Sequence, residues 1–354
     1  MKYTSLVSGG LVAFLIVCSV LGFSPAVVAT SLGEEDKLFD AEDPLELTLE
    51  ADLKPILKDK GEERPYQPAR LWYLDQQGDT VSFDIGVKTR GHYRRIYLDC
   101  NVPPLRLNFK KKAVKNTVFA GQDKLKLVTH CKDNVKAYQQ FTLQEYLIYK
   151  IYNLITEKSF RVRLVRLTYV DTGGKRKPVT KYGFLIEDED LLAERLGGRI
   201  LLRGIVHQES TNREDATLGA VFQYMVGNTD WSVPGRHNVK LVFTGPGQPP
   251  ISIPYDFDFA GLIRTPYAKP DPRLHISSVR ERLYRGYCRT EEEFQAAFAP
   301  FNEQQEAIYA LFQDFEYMDE KVKGRSLKYL DAFYKTINRP RSVKREFLAA
   351  CLEG

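Results

Sequence analysis

The chain has 354 residues, with 51 Lys and Arg against 46 Asp and Glu, which leaves a formal net charge of only +5 at pH 7. Hydrophobic residues make up 43% of it, too many for a wholly disordered chain and enough for one large domain or two packed lobes. The densest basic runs, "NFKKKAVK" and "GGKRKP", are typical of a loop and a hairpin tip with solvated lysines, so we expect no nucleic-acid partner.

The N-terminus has the pattern of a secretory signal peptide over residues 1–29. A basic residue precedes an apolar run over residues 6–21, and small residues suit cleavage after Ala29. No later stretch is apolar over the roughly 20 residues that a transmembrane helix needs. We therefore expect an exported protein, periplasmic or extracellular, without a stable membrane span in the mature chain. A lipoprotein signal at Cys18 is the weaker alternative, because a large valine precedes it.

Residues 30–65 are rich in acidic residues and are predicted to begin as a charged, mobile N-terminal arm. From residue 66 to residue 187 apolar and polar residues alternate, which predicts strands in "ARLWYL", "TVSFDIGVKTRG", "PPLRLNF" and "KLKLVTH". Apolar residues at helical spacing over residues 138–155 predict a helix of about five turns. The segments "FRVRLVRLTYVD" and "KYGFLIE" then predict a hairpin, so residues 66–187 form a β-rich lobe with one long helix.

Residues 188–354 are predicted to form a mostly helical lobe that contains a β-hairpin. The segment "TNRE" places Thr211 at a helix N-cap with Glu214 three residues later, which is a capping box, and this helix ends at Gly227. The segments "HNVKLVF" and "ISIPYDF" predict the hairpin strands, and aromatic residues at helical spacing beyond Glu291 predict further helices. The fold class expected for the whole chain is α+β.

Four cysteines follow the predicted signal peptide, namely Cys100, Cys131, Cys288 and Cys351. An even number of cysteines in an exported protein favours two disulfides, for which three pairings are possible. Pairing of Cys100 with Cys131 and of Cys288 with Cys351 is preferred, because each pair then lies within one predicted lobe. No Cys-x-x-Cys motif is present, so a structural zinc site is not expected.

Four polar side chains lie close along the second half of the chain, namely Asp230, Asn238, Asp256 and Asp258. Asn238 and Asp256 lie at the open end of the predicted hairpin, which makes them neighbours in space. A carboxylate is costly to bury without a partner, so this cluster indicates a bound cation, a proton to move, or both. Phosphoryl transfer needs an acid to orient the acceptor hydroxyl and oxygen ligands for magnesium, and these residues meet both needs.

The motifs "GNTDWSVPGRHN" and "IPYDFDFAG", together with "KTRGHYRR", "GQDKLKLV" and "EYLIYKIY" before them, resemble the CotH family of atypical, spore-coat-type protein kinases. The resemblance runs from about Phe83 to Gly261. It implies a bilobal protein-kinase-like fold and the phosphorylation of Ser or Thr in a secreted or envelope protein, with ATP and Mg²⁺ or Mn²⁺. It also implies that Asp230 is the catalytic acid, that Asn238 is a metal ligand, and that Asp256 takes the place of the metal-binding Asp of kinases.

The chain departs from ordinary kinases at three points. Asp230 and Asn238 are eight residues apart, where the kinase catalytic loop has five, so we expect "VPG" to bulge out. Only one glycine is present in "TRGHYRR", which is a poor match to a glycine-rich phosphate loop. Asp256 and Asp258 alternate, so one is expected at the metal and the other in an ion pair with an arginine such as Arg264.

The cation that grips the nucleotide remains open among Arg106, Lys124 and Lys126, because no "VAIK" motif is present. Lys126 is favoured, since it alternates with buried leucines and so faces the expected cleft, and Glu145 on the long helix is its expected ion-pair partner. His237 is expected to bind the loop backbone.

Two other classes of protein fit the same residues. One is a catalytically inactive, kinase-like interaction protein outside the cytoplasm, whose acids hold calcium or only each other. The other is a metal-dependent hydrolase, against which the lack of a His-rich ligand set argues. The acceptor of an active kinase would be an exported protein that the sequence does not identify.

Overall fold

The computed structural model describes residues 37–353, so the predicted signal peptide at residues 1–29 and the lipoprotein alternative at Cys18 lie outside the described residues. The strands of the described part are β1 (Leu45–Ala51), β2 (Gln67–Leu74), β3 (Thr80–Thr89), β4 (Leu105–Asn108), β5 (Lys124–Val128), β6 (Val162–Asp171), β7 (Val179–Ile186), β8 (Arg199–Ile200), β9 (Val239–Phe243) and β10 (Ile251–Pro254). Its α-helices are α1 (Lys37–Asp40), α2 (Leu53–Lys58), α3 (Tyr93–Ile96), α4 (Lys136–Ile155), α5 (Glu189–Arg195), α6 (Arg213–Val226), α7 (Glu291–Glu303), α8 (Gln305–Gln313), α9 (Glu320–Ile337) and α10 (Pro340–Val343). The chain is an α+β protein, as the sequence predicted.

The first half of the chain forms a closed, mixed barrel of seven strands in the order β1-β2-β3-β4-β5-β7-β6. Parallel pairing of β1 with β6 closes it, and the other neighbours are antiparallel. One side chain in two along each strand points into an apolar core, for example Leu49, Leu71, Val87, Leu107 and Leu127. Each of these strands buries one face, and this burial is the cause of the apolar-polar alternation that predicted them from the sequence.

Strand β1 lies inside the segment that was predicted to be a mobile arm, and the arm prediction is therefore wrong for residues 45–58. Leu47, Leu49 and Ala51 are buried in the barrel core, and Glu46 and Glu50 alternate with them on the other side. The acidic composition of this segment reflects the outward face of a strand whose inward face is apolar.

Helix α4 connects the barrel to the rest of the molecule. It is 20 residues long and contacts β6 and β7 of the barrel as well as α8. Its buried residues belong to a second apolar core, shared with α6, the sheet β10-β9-β8 and the C-terminal helices. The predicted helix at residues 138–155 and the predicted hairpin of β9 and β10 are both confirmed.

Helix α6 begins one residue later than the predicted capping box implies. The side chain of Asn212 accepts a hydrogen bond from the backbone N–H of Asp215, which makes Asn212 the N-cap, while Thr211 ends a preceding 3-10 turn. The predicted end of the helix is confirmed, because Gly227 adopts a left-handed conformation with φ of 68°. Every helix within residues 37–353 is too short or too polar to cross a lipid bilayer.

Both preferred disulfides form. Cys100 is bonded to Cys131 beside the barrel, where Val102 and Cys131 also form an isolated β-bridge. Cys288 is bonded to Cys351 and ties the C-terminal segment to the loop before α7. Such bonds are typical of oxidising compartments outside the cytoplasm.

Candidate active site

A cleft of about 360 Å³ lies between the loop after β3 and two segments of the second half of the chain. The loop contributes residues 90–94, and Pro104 lies beside it. The opposite wall is formed by Asp230, His237, Asn238, Asp256, Asp258 and Phe259. The four polar residues that the sequence grouped together therefore line one cleft.

Asp230 is presented by the end of α6. After Gly227, the buried Asn228 donates a hydrogen bond to the side chain of Gln223 at 3.0 Å, and its Oδ1 accepts one from the backbone N–H of Asp230 at 3.1 Å. The backbone N–H of Gly261 also donates to the carbonyl of Gly227 at 3.0 Å. These contacts hold the loop that carries Asp230 against the segment that carries Asp256 and Asp258.

The carboxylate of Asp230 is bound by two neighbours from its own loop. Nδ2 of Asn238 donates to its Oδ2 at 3.0 Å and to its backbone carbonyl at 2.7 Å. Nε2 of His237 lies 2.8 Å from its Oδ1, and this hydrogen bond raises the pKa of His237. His237 therefore binds the carboxylate and not the loop backbone, which corrects the expectation from the sequence.

The eight-residue spacing between Asp230 and Asn238 is absorbed by a turn, as predicted. Residues 233–236 form this turn, and the backbones of Ser232 and His237 pair across its base. The backbone N–H of Tyr255 donates to the carbonyl of Asn238 at 3.0 Å, which places Asn238 and Asp256 together at the open end of the hairpin.

Asp256 follows β10 in a left-handed conformation with φ of 61°, and its backbone N–H donates to the hydroxyl of Tyr149 at 2.9 Å. Among residues 37–353, no side chain or backbone group donates a hydrogen bond to its carboxylate. The carboxylate is thus held at the cleft by its backbone and is free to bind a ligand.

Asp258 belongs to a buried ion-pair network centred on Arg94. Nε of Arg94 lies 3.2 Å from Asp258, Nη2 of Arg94 lies 3.3 Å from Glu145, and the hydroxyl of Tyr267 donates to Asp258 at 3.1 Å. One of the two acids therefore does pair with an arginine, as expected, but the arginine is Arg94 and not Arg264. Asp256 and Asp258 also do not face opposite sides, because β10 ends at Pro254 and both residues line the cleft.

The network contains more negative than positive charge. Burial works against the charge of Arg94, but Asp258 and Glu145 outweigh it and hold the pKa of Arg94 above its ordinary value. Burial raises the pKa of Asp258 and of Glu145; Arg94 opposes this, and the charge of Asp256 adds to it. Oε1 of Glu145 is buried without a hydrogen-bond partner. A further cation would relieve this excess of acid.

Lys126 lies in a different charged cluster, so its expected ion pair with Glu145 is wrong. Its Nζ lies 2.9 Å from Glu189, which Lys240 also contacts at 2.8 Å, and the ring of Tyr255 is 5.2 Å away. Burial lowers the pKa of Lys126 to about 8, against the attraction of Glu189. Lys126 does not line the cleft that contains Asp230 and Asp256, so the expectation that it faces this cleft is not met.

The other two candidate cations lie near the same strands. Arg106 is paired with Lys126 across β4 and β5 and lies 3.6 Å from Asp188. Lys124 lies 3.9 Å from Asp123 and is half exposed. Neither of them lines the cleft that contains Asp230 and Asp256.

Sequence reasoning missed Arg90 and Arg94, which face the acids across the cleft. Both belong to "TRGHYRR", where Gly91 adopts a φ of 75° and turns the chain over the cleft. The available signal was the density of arginine around a single glycine. A segment with a single glycine does not match a glycine-rich phosphate loop, so the motif alone does not identify these arginines.

The polar groups at the cleft fit a divalent metal ion only in part. Within residues 37–353, no three His, Cys, Asp or Glu side chains are grouped so that they could hold a metal ion. Asp256 has a free carboxylate, and Oδ1 of Asn238 is not engaged by a hydrogen bond from any described residue. Two protein oxygens are a sufficient protein contribution for magnesium, which usually takes its remaining ligands from water and substrate phosphates.

Comparison with known proteins adds no assignment. A scan against protein-family models and a search of curated proteins both found no match for this chain.

Proposed function

We propose that this chain is an exported, CotH-like kinase that transfers the γ-phosphate of ATP to Ser or Thr of a secreted or envelope protein, with Mg²⁺ or Mn²⁺ as the metal. The observation that carries the proposal is the shared cleft of Asp230, Asn238 and Asp256, with Arg90 and Arg94 on the facing wall. Phosphoryl transfer depends mostly on positioning and on the neutralisation of phosphate charge, and this cleft has groups for both.

The fold supports the proposal at the level of architecture. A β-rich part and a mostly helical part lie on either side of the cleft, and α4 between them carries Glu145 to Arg94, which lines the cleft. This arrangement is the one expected for a bilobal, kinase-like protein. The β-rich part is a closed barrel of seven strands, so the likeness concerns the position of the cleft and not the strand topology. Two disulfides support export.

Asp230 has the environment that a base for the acceptor hydroxyl requires. In the proposed reaction the hydroxyl oxygen of Ser or Thr bonds to the γ-phosphorus, the bond from that phosphorus to the leaving oxygen of ADP breaks, and Asp230 accepts the hydroxyl proton. Asn238 and His237 fix the orientation of the Asp230 carboxylate through the hydrogen bonds described above.

Asp256 and the amide oxygen of Asn238 are the groups that would hold the metal ion, which when bound neutralises phosphate charge. Asp258 already accepts contacts from Arg94 and Tyr267, so it is better suited to fix the segment that carries Asp256 than to act as the main ligand.

Arg90 is the cation best placed to contact the phosphates of the nucleotide. It lines the cleft, and no carboxylate within residues 37–353 pairs with its side chain. Lys126 is paired with Glu189, and Arg106 is paired with Asp188. Any contact of these two cations with the nucleotide would therefore be made from the neighbouring charged cluster and not from the cleft itself. Arg94 takes the position relative to Glu145 that was expected for Lys126.

The proposal is tested with purified mature protein, labelled ATP and Mg²⁺ or Mn²⁺, by following autophosphorylation and the thermal shift caused by the nucleotide. We expect Asp256→Asn to abolish the metal-dependent thermal shift. Asp230→Asn should keep the shift but reduce phosphate transfer by about 10²- to 10⁴-fold, which is the usual contribution of a general base. Asp314→Asn removes an exposed acid whose side chain has no partner in the described part of the chain, and it should change neither measurement.

Two results would contradict the proposal. If the wild-type protein shows no thermal shift with ATP and metal, the inactive interaction protein is the better description. If Asp230→Asn transfers phosphate as fast as the Asp314→Asn control, Asp230 is not the base.

A further inference from the structure

A second and larger cavity lies away from the acidic cleft. It has a volume of about 780 Å³ and is enclosed by α4, the segment at residues 262–264, the segment at residues 280–282, and α9. Five basic residues line it against one acid, and these six are Arg264, Arg280, Arg282, Arg325, Lys328 and Asp319. Such an excess of positive charge in a concave site attracts anions.

None of the five cations is neutralised by the protein. Within residues 37–353, none of them forms an ion pair with a carboxylate. Arg282 is the most constrained: it donates to the backbone carbonyls of Met225 and Tyr329, and its guanidinium lies 3.7 Å from the centre of the Tyr329 ring. Burial lowers the pKa of Arg282, and the neighbouring charge of Arg280 adds to this effect.

The walls of the cavity are fixed by hydrogen bonds between elements that are distant in sequence. Gln144 on α4 donates to the carbonyl of Leu262 at 3.2 Å and to the hydroxyl of Ser326 on α9 at 3.0 Å. Arg280 also lies over the ring of Tyr329, at 4.6 Å from its centre. Arg280 and Arg282 are therefore held in position before any ligand arrives, which lowers the entropic cost of binding.

The size and charge of the cavity define the ligand. A single phosphate or sulfate ion would fill only a small part of about 780 Å³, a volume within the range of sites for drug-sized molecules. Guanidinium groups bind phosphate oxygens in pairs of parallel hydrogen bonds, and four of the five cations are arginines. We propose that this cavity binds a small anion that carries several phosphate groups, either free or as the headgroup of a lipid.

The site is tested by titrating the full mature chain with inorganic tripolyphosphate, without metal, and measuring heat of binding. The informative variant is the double substitution Arg325→Gln and Lys328→Gln, because both side chains are exposed on α9 and neither has a partner among residues 37–353 whose loss would unfold the chain. We expect the dissociation constant to rise by at least about tenfold, since a hydrogen bond to a charged group contributes roughly 1.5 kcal/mol or more.

The matched control is the double substitution Lys321→Gln and Lys335→Gln, which removes the same charge from exposed positions of the same helix outside the cavity. Binding that weakens equally in both double variants would show a general charge effect and would overturn the proposal. Arg90→Gln distinguishes the cavity from the acidic cleft, because tripolyphosphate binding at the cavity should survive it. Loss of all binding in Arg90→Gln would place the anion at the cleft instead.

A second arm distinguishes the source of the phosphates. Vesicles of phosphatidylcholine with and without phosphatidylinositol bisphosphate are sedimented with the wild-type chain and with the two double variants. Binding that needs the phosphorylated lipid and is lost only in the Arg325 and Lys328 variant supports the headgroup form. Tripolyphosphate binding without vesicle binding supports the free form, and failure of both probes overturns the site.

Discussion

Arg94 connects the two halves of the candidate site because its guanidinium lies between two largely buried carboxylates. It is 7% exposed, Glu145 is 2% exposed and Asp258 is 8% exposed. Each acid would be costly to bury alone, and one arginine offsets part of the cost for both. The position of Asp258, and through it of the Asp256 segment, therefore depends on a residue of the short helix α3.

We expect Arg94→Met to lower the free energy of unfolding by about 3–5 kcal/mol, because it leaves two buried acids without a cation. Adding Glu145→Gln should restore part of this loss, since one uncompensated carboxylate then remains. The measurement is urea unfolding at neutral pH. Arg203→Met serves as the control, because Arg203 is exposed and its side chain has no partner among the residues that the structure describes. It should stay within about 0.5 kcal/mol of the wild type. A loss in Arg94→Met as small as that of the control would mean that the network does not stabilise the fold.

The grouping of Asp230, Asn238 and Asp256 could be predicted from the sequence, but the ion-pair partners could not. Hairpin geometry is local, so the open end of β9 and β10 follows from the two strand patterns and the turn between them. Glu145 is paired with Arg94, which is 51 residues away along the chain, and Lys126 is paired with Glu189, which is 63 residues away. Both pairs therefore depend on the three-dimensional path of the chain. No periodicity carries that information.

At the level of elements, the end of α6 and the segment after β10 are held together by two glycines. Gly227 is left-handed, and a methyl group on it would overlap the hydroxyl of Tyr329 on α9. A methyl group on Gly261 would meet the carbonyl of Val279 as well as the same hydroxyl. The close approach of these backbones is what brings the Asp230 loop beside Asp256 and Asp258.

We expect Gly227→Ala to destabilise the protein by at least about 2 kcal/mol, from the left-handed backbone and from the contact with Tyr329. Combining it with Tyr329→Phe should remove the steric part of the loss and leave the backbone part. Gly324→Ala is the opposite case, because Gly324 lies inside α9 with open space around it, and it should stabilise by about 0.5–1 kcal/mol. Thermal unfolding of the four proteins checks the signs, and stabilisation by Gly227→Ala would contradict the account.

Elements with one buried face were predictable, and elements whose limits depend on single hydrogen bonds were less so. The strands from β2 to β7 and helix α4 follow apolar periods that the structure confirms. Strand β1 was missed because its charged face dominated the composition, although its leucines alternate as strictly as the apolar residues of β3. At α6, Thr211 and Asn212 are both good caps, and only the three-dimensional path of the chain selects Asn212.

At the scale of the whole molecule, the barrel core and the second core are coupled through α4. The helix packs against β6 and β7 of the barrel while its buried residues belong to the second core. One disulfide lies on each side of this helix, at Cys100 and Cys131 beside the barrel and at Cys288 and Cys351 in the C-terminal region. Strands β5, β6 and β7 of the barrel also contribute buried residues to the second core, where they pack with α4. We therefore expect the two parts to unfold together.

We expect a single unfolding transition, and removal of either disulfide should lower its midpoint. Replacing both cysteines of one pair by alanine should lower the stability by about 3–4 kcal/mol in each case, since each bond restricts the unfolded chain. The bond between Cys288 and Cys351 closes a loop with a sequence separation of 63, against 31 for the other, so its loss should cost about 0.6 kcal/mol more.

Circular dichroism reports the helices of the C-terminal region, and fluorescence of Trp72 in β2 reports the barrel when Trp231 is replaced by Phe. Coincident midpoints in all three proteins support coupling through α4, whereas a variant that moves only one of the two signals would show that barrel and helical region unfold independently.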